Sequence, residues 1–260
     1  MAGTAKTSQV LLSTATVMLG PMADVNILTP ERHSIGLVKN VTYTSEPEFR
    51  ELTQGLTNDV VMSVKVGDGS RVSMEVYEYT ARNLAYAAGL DATGVEYDTS
   101  ATLYTTSAAP TGTSVTVSGT PTGISAGDYI YIQGGNDDLV HIGKVASIAT
   151  STITLAAGFA IPAGMTFPAA SRVRKVRTLN IGAATPSVTL ACKITGIIDP
   201  SQNTPVSLVF PKVKVTRGMN LAFSTENYGN MPFEFTPYSL VSTDTAYAEY
   251  NTTKMRMYVA

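Results

Sequence analysis

The sequence predicts a mainly β protein with one short α-helix and, in its middle, an inserted small β-barrel domain. Three observations lead there. Apolar residues recur at every second position in run after run, the period of a half-buried strand. Thr, Ser, Gly, Val and Ala dominate, and Gly-, Pro- and Asn-rich turns separate the alternating runs. Only the stretch from Thr80 to Gly89 changes to helical spacing.

The chain of 260 residues is long enough for one large or two small cores. Hydrophobic residues at 44% and a net charge of −2 indicate a folded chain and exclude a disordered one. Charged residues are 15%, below the usual share of about a quarter. So balanced a charge gives no sign of a nucleic-acid-binding surface. No apolar stretch reaches the length of a membrane span, and no membrane partner is expected. Cys192 stands alone, which rules out an intrachain disulfide; in "VTLACKITGII" it is a buried strand residue.

The elements follow in order. Residues 1–34 form an N-terminal arm. Its opening "MAGTAKTSQVLLSTATVMLG" has a short apolar region, but Ser and Thr interrupt it and no clear cleavage site follows. A flexible or assembling arm is expected, not a signal peptide. Residues 35–45 are a strand. A polar loop, 46–58, sets Glu46, Glu48 and Glu51 around Phe49 and Arg50, with Leu52 as a second apolar anchor and Gln54 beyond it.

A hairpin comes next. Val60, Met62, Val64 and Val66 alternate before Gly67-Asp68-Gly69, and Val72, Met74 and Val76 alternate after it. A three-residue loop there pairs Val64 with Val72, Met62 with Met74 and Val60 with Val76, and puts Gly69 where such hairpins need a left-handed residue. One face is apolar; Ser63 and Lys65 oppose Arg71, Ser73 and Glu75 on the other. Lys65 and Arg71 then face each other, and an acidic partner is expected from a neighbour's Glu46, Glu48 or Glu51. Thr80 caps the helix, Ala81, Leu84, Ala85 and Ala88 form its apolar stripe, and Gly89 closes it.

"EYDTSATLYTT" returns to strand. From Pro110 the texture changes, and residues 111–177 hold short strands near 114–118, 129–133, 139–147, 151–156 and 172–177. This module carries three acids and five bases, +2, which leaves −4 for the remainder of a chain at −2. Strands resume at 187–197, 205–216, 219–224, 233–241 and 254–259. The module therefore divides an outer β domain, 35–110 and 178–260.

Candidate chemistry is sparse. His33 and His141 are the only histidines, and neither has another His or Cys at ligand spacing. Asp137-Asp138 lacks the full calcium-loop pattern and suits a turn. No serine sits in G-x-S-x-G, and "GDGS" lacks the lysine and helix of a phosphate loop. Tyr77, Tyr79 and Tyr86 suit strand and helix packing better than a ligand platform. No enzyme, cofactor or metal is expected.

The block "IGLVKNVTYTSEPEFRELTQGLTNDVVMSVKVGDGSRVSMEVYEYTARNLAYAAGL", residues 35–90, resembles the major tail tube proteins of tailed bacteriophages. The likeness lies in a strand, a Glu-rich loop, a hairpin and the helix "YTARNLAYAAGL"; the 111–177 module lies outside it. The resemblance implies a β-sandwich or barrel-like tail tube fold and a structural virion protein without an active site. Hexameric rings would stack into a tube that conducts DNA during ejection. The loop at Glu46–Gln54 would reach an adjacent ring, the hairpin around Lys65–Arg71 would be wall, and the helix would brace it from outside. Implied partners are copies of the chain, the tape measure, baseplate or tip, terminator and sheath proteins, and viral DNA passing without specific binding. The implied location is the phage tail, assembled in the host cytoplasm. Two other readings stay open: a secreted or surface β-sandwich that is adhesive or carbohydrate-binding, and the tube protein of a bacterial contractile injection or secretion system.

Overall fold

Alternation does produce strands, which make up about half of the described residues. In this computed structural model, residues 15–54, 59–90, 92, 102–135, 138–182, 188–199, 204–221 and 229–259 are described. Expectations for 1–14, 55–58, 96–101, Asp137, 187 and 222–224 lie outside them. The first strands are β1 (Thr16–Pro21), β2 (Val38–Thr44), β3 (Pro47–Gln54), β4 (Asp59–Asp68) and β5 (Arg71–Val76). Next come β6 (Tyr104–Thr105), β7 (Ser114–Thr116), β8 (Tyr129–Gln133), β9 (Val140–Ala149), β10 (Thr152–Leu155) and β11 (Arg172–Val176). The last are β12 (Leu190–Asp199), β13 (Thr204–Arg217), β14 (Met231–Pro237) and β15 (Arg256–Val259). Helices are short: α1 (Pro30–His33), α2 (Ala81–Ala87) and α3 (Tyr247–Tyr250), with a 3-10 turn at Met22–Ile27. The fold is thus mainly β, a large antiparallel sheet plus a curled six-stranded half-barrel.

Contacts divide the chain into two compact units, Met1–Glu96 with Ile181–Ala260, and Tyr97–Asn180. In the first, the strand order is β1-β12-β13-β14-β5-β2, and β15 also pairs with β13. The long β13 serves both partners on one edge: Val206–Val209 pair with β15, and Val213–Arg217 pair with β14. Pro211 falls between these segments, beside the register shift at Leu190/Cys192. A residue without an N–H is tolerated at such an irregularity. Val72, Met74 and Val76 of β5 align with Phe235, Phe233 and Met231 of β14, and all six are buried. Phe210 extends that core, with ring centroids 5.5 Å from Tyr43 and 6.2 Å from Phe235. Met18, Ala191 and Val209 point to the opposite face, which Val25, Leu28, Leu240 and Tyr250 cover.

The N-terminal arm expectation is corrected here. Val17, Met18 and Leu19 are buried in β1, which pairs with β12 from Thr16 to Pro21. A strand covered on both faces is continuously apolar, so "VML" lacks the alternation that marked the others. Ser34 bridges Met18, so the chain entering β2 bonds the strand at the other end of the order. The single-helix expectation is also corrected, since α1 and α3 accompany α2.

Helix α2 follows local rules. Thr80 Oγ1 accepts a hydrogen bond from Asn83 N at 3.1 Å. At the other end Gly89 has φ +69°, and the N–H groups of Leu90 and Gly89 donate to Ala85 O and Tyr86 O, a Schellman closure. Its buried residues are Asn83, Ala85, Tyr86 and Ala87, while Ala81, Leu84 and Ala88 are only partly covered. The expected alanine stripe is therefore rotated. Asn83 explains the turn: its side-chain amide donates to Ile35 O and Glu78 O at 2.8 and 2.9 Å, tying the helix inward by a polar residue.

In the second unit the order is β6-β11-β8-β9-β10-β7. Ile130, Ile132, Val145, Ile153, Leu155, Phe167 and Val173 fill its interior. Its edges meet: Ser107 N donates to Thr116 O and Ser118 N to Thr105 O. The sheet begins at Tyr104, upstream of the expected boundary at 111, because Val173 pairs with Tyr104.

Candidate functional site: an exposed two-stranded ribbon

The expected hairpin between 60–66 and 71–76 does not form. Both edges of β5 are occupied, by β14 and by β2. Strand β4 pairs instead with β3, and the two make a separate two-stranded sheet. The segment Glu46–Gln54, expected as a loop, is thus mostly strand. Gly67, Asp68 and Gly69 are not a tip: Gly67 and Asp68 end β4, Gly69 leads on to β5, and Gly69 is absent from the positive-φ glycines. The pairs Val64–Val72, Met62–Met74 and Val60–Val76 do not occur.

Every residue of β3 is exposed, as are those of β4 up to Val66. Partners across a ladder share a face. Phe49 pairs with Lys65, Glu51 with Ser63 and Thr53 with Val60 on one face; Arg50 pairs with Val64 and Leu52 with Met62 on the other. Register shifts leave Val61 and Val66 as the extra residues. Phe49 is 58% exposed, Leu52 62% and Met62 57%. The alternation of Val60, Met62, Val64 and Val66 predicts a half-buried apolar face, yet all four lie open, and so does Val61.

The base of the ribbon is polar. Arg71 Nη2 lies 3.2 Å from Glu46 Oε1, and Lys65 Nζ 3.0 Å from Asp68 Oδ2. Lys254 Nζ donates to Asp68 O at 2.8 Å, and Gly69 N to Glu46 O at 2.9 Å. The hydrogen bond from Lys65 holds the Asp68 carboxyl below its ordinary value. Lys65 and Arg71 therefore find acids in their own chain, which removes the reason to seek a neighbour's carboxylate for them. Glu48 and Glu51 have no ion pair among the described residues.

The residues weighed for chemistry are dispersed. His33 Nδ1 accepts from Thr29 N at 3.1 Å, and burial pushes its imidazole pKa down. His141 Nε2 is 2.9 Å from Phe159 O in the other unit. Cys192 is fully enclosed, and burial pushes its thiol well up. Tyr77 donates to Glu75 at 2.9 Å, and Tyr86 is buried in α2. No cluster of three potential metal ligands occurs among the described residues, and no helix there is long and apolar enough to cross a membrane. No family model matches the chain, and no curated protein matches it.

Proposed function

We propose that this chain is a structural subunit that associates with copies of itself, as a tail tube protein does. The observation that carries the reading is the ribbon of β3 and β4. A two-stranded sheet is at best marginal alone in water, and this one displays apolar side chains on both faces. Seven large apolar residues on it are roughly half exposed. Completing their burial contributes on the order of 1 kcal/mol each, about 5–8 kcal/mol gross per ribbon. Set against an association cost of about 4–15 kcal/mol, one ribbon supports a weak contact that repetition among copies strengthens.

The finer fold belongs to the same proposal. The Ser34–Met18 bridge supports a barrel-like reading of the large sheet, and the Thr106–Val117 bridge supports a small barrel for the second unit. Closed sheets leave few free edges, so the ribbon's two open edges stand out as places for a neighbour. On this reading rings of copies stack into a tube in the phage tail. Other tail proteins cap and fill it, DNA passes without specific binding, and no residue has a catalytic role.

Negative-stain microscopy with analytical sedimentation of the purified chain tests this. Rings or tubes of uniform bore are expected as concentration rises. A dispersed monomer at every soluble concentration would sink the proposal, and sugar binding by that monomer would favour the adhesive reading.

A further inference from the structure

In the second unit, the outward-facing residues of β8, β9 and β11 include no acid. Across β11, β8 and β9 the paired rows are Arg174–Tyr131–Ile142, Arg172–Gln133–Val140 and Val176–Tyr129–Lys144. Between them Val173, Ile130 and Ile132 point inward and are buried. Tyr131 is 41% and Ile142 48% exposed. Lys175 pairs with Asp128 at 2.6 Å, whereas the side chains of Arg172 and Arg174 have no ion pair or hydrogen bond among the described residues.

The exposed residues of this face are therefore one aromatic, Tyr131, two aliphatics, Val140 and Ile142, and Arg172 and Arg174, whose guanidinium groups have no partner among the described residues. Tyr and Arg are the side chains that dominate protein interfaces, and a guanidinium fork suits a carboxylate. The exposed aliphatics call for an apolar contact beside that carboxylate, which a plain polyanion does not supply. The ribbon of β3 and β4 supplies both. From Glu46 to Asp68 it holds five acids and two bases, −3. Glu51 stands unpaired on the same ribbon face as Phe49, one row away. Same-face rows in a strand are about 7 Å apart, so the Phe49–Glu51 spacing matches the spacing between the Arg174 and Arg172 rows.

We infer that the outward face of β8, β9 and β11 in one copy receives the β3–β4 ribbon of a second copy, with Phe49 against Tyr131 and Ile142 and Glu51, one row away, on Arg172. The inference rests on the assembly reading above and names where assembly happens. Each copy gives one ribbon and receives another, a heterologous contact that closes a ring or propagates. Three rows on three strands cover only a few hundred Å², less than the roughly 800 Å² per partner of a stable pair. The single contact is weak and gains strength by repetition.

Opposed charge reversals provide the test. Arg172→Glu alone and Glu51→Arg alone each place like charges in the contact and should raise the concentration needed for self-association about tenfold or more. An equimolar mixture of the two variants, each shown folded by circular dichroism, should associate again, because every mixed contact is attractive. A photo-crosslinker at position 131 of the full chain should link to peptides within 47–68 of another copy. Variants that associate like wild type, a mixture that fails to recover, or crosslinks to other segments would overturn the inference while wild-type assembly stood. Wild type that never self-associates would overturn the assembly reading and this inference together.

Discussion

Glu46 and Arg71 of the same chain meet at 3.2 Å at the foot of the ribbon, where β2 hands over to β3 and β4 to β5. Both side chains are more than half exposed, so solvent screens the pair. Arg71→Ala should change stability by about 0.5 kcal/mol or less in urea unfolding. A loss of several kcal/mol would mean that this pair anchors the ribbon, which its exposure argues against.

Replacing Phe49 and Leu52 together by Ser should leave the fold intact and abolish self-association. Neither side chain is in a core, since each is about 60% exposed. Circular dichroism should match wild type while sedimentation reports monomer. Undiminished tubes from this double variant would refute the ribbon's part in assembly.

Phe210→Ala should behave in the opposite way. The ring is fully buried and touches Tyr43 and Phe235. Truncation of a buried Phe costs about 3–5 kcal/mol. Denaturant unfolding followed by tyrosine fluorescence should show the transition of the seven-stranded unit moving to lower denaturant. A shift under 1 kcal/mol would mean that the site collapses around the smaller side chain.

Gly218 lies against α2, and a Cβ there would stand 2.7 Å from both Cα and O of Ala87. Those are backbone atoms that cannot rotate away. Gly218→Ala should therefore destabilise by about 1–3 kcal/mol through overpacking. Ala87→Gly in the same chain should not relieve it, because the obstructing atoms remain. Thermal unfolding of the single and double variants checks both statements.

Asp244 receives hydrogen bonds from Lys212 Nζ and Val241 N, both at 2.8 Å, and the Lys212 bond first of all holds its carboxyl pKa below the ordinary value. A depressed carboxylate contributes stability above its unfolded pKa and loses it as pH falls through the folded pKa. Asp244→Asn should thus be less stable than wild type at neutral pH, and the difference should fade as pH drops below the ordinary Asp range. A difference constant from pH 7 to pH 2 would show that the charge contributes nothing.

What the sequence by itself determined is local. The Thr80 cap, the Gly89 closure and the strands of the second unit depend on residues within a few positions of one another, and those positions were legible. The buried face of α2 was less so, because Asn83 turns inward to reach Ile35 O, a partner 48 residues away.

Only the tertiary structure decided which strand pairs with which. Val60, Met62, Val64 and Val66 alternate as well as Val72, Met74 and Val76 do, yet the first set is exposed and the second buried. Alternation specifies that a strand has two faces; it does not name the neighbour. The neighbour of β5 was settled by β14, more than 150 residues further on, whose Met231, Phe233 and Phe235 bury more apolar area against Val76, Met74 and Val72 than the short turn at Gly67–Gly69 could secure. Released from that pairing, β4 folded onto β3 and carried its apolar side chains into the open, because burial is won by whichever distant segment covers the most surface.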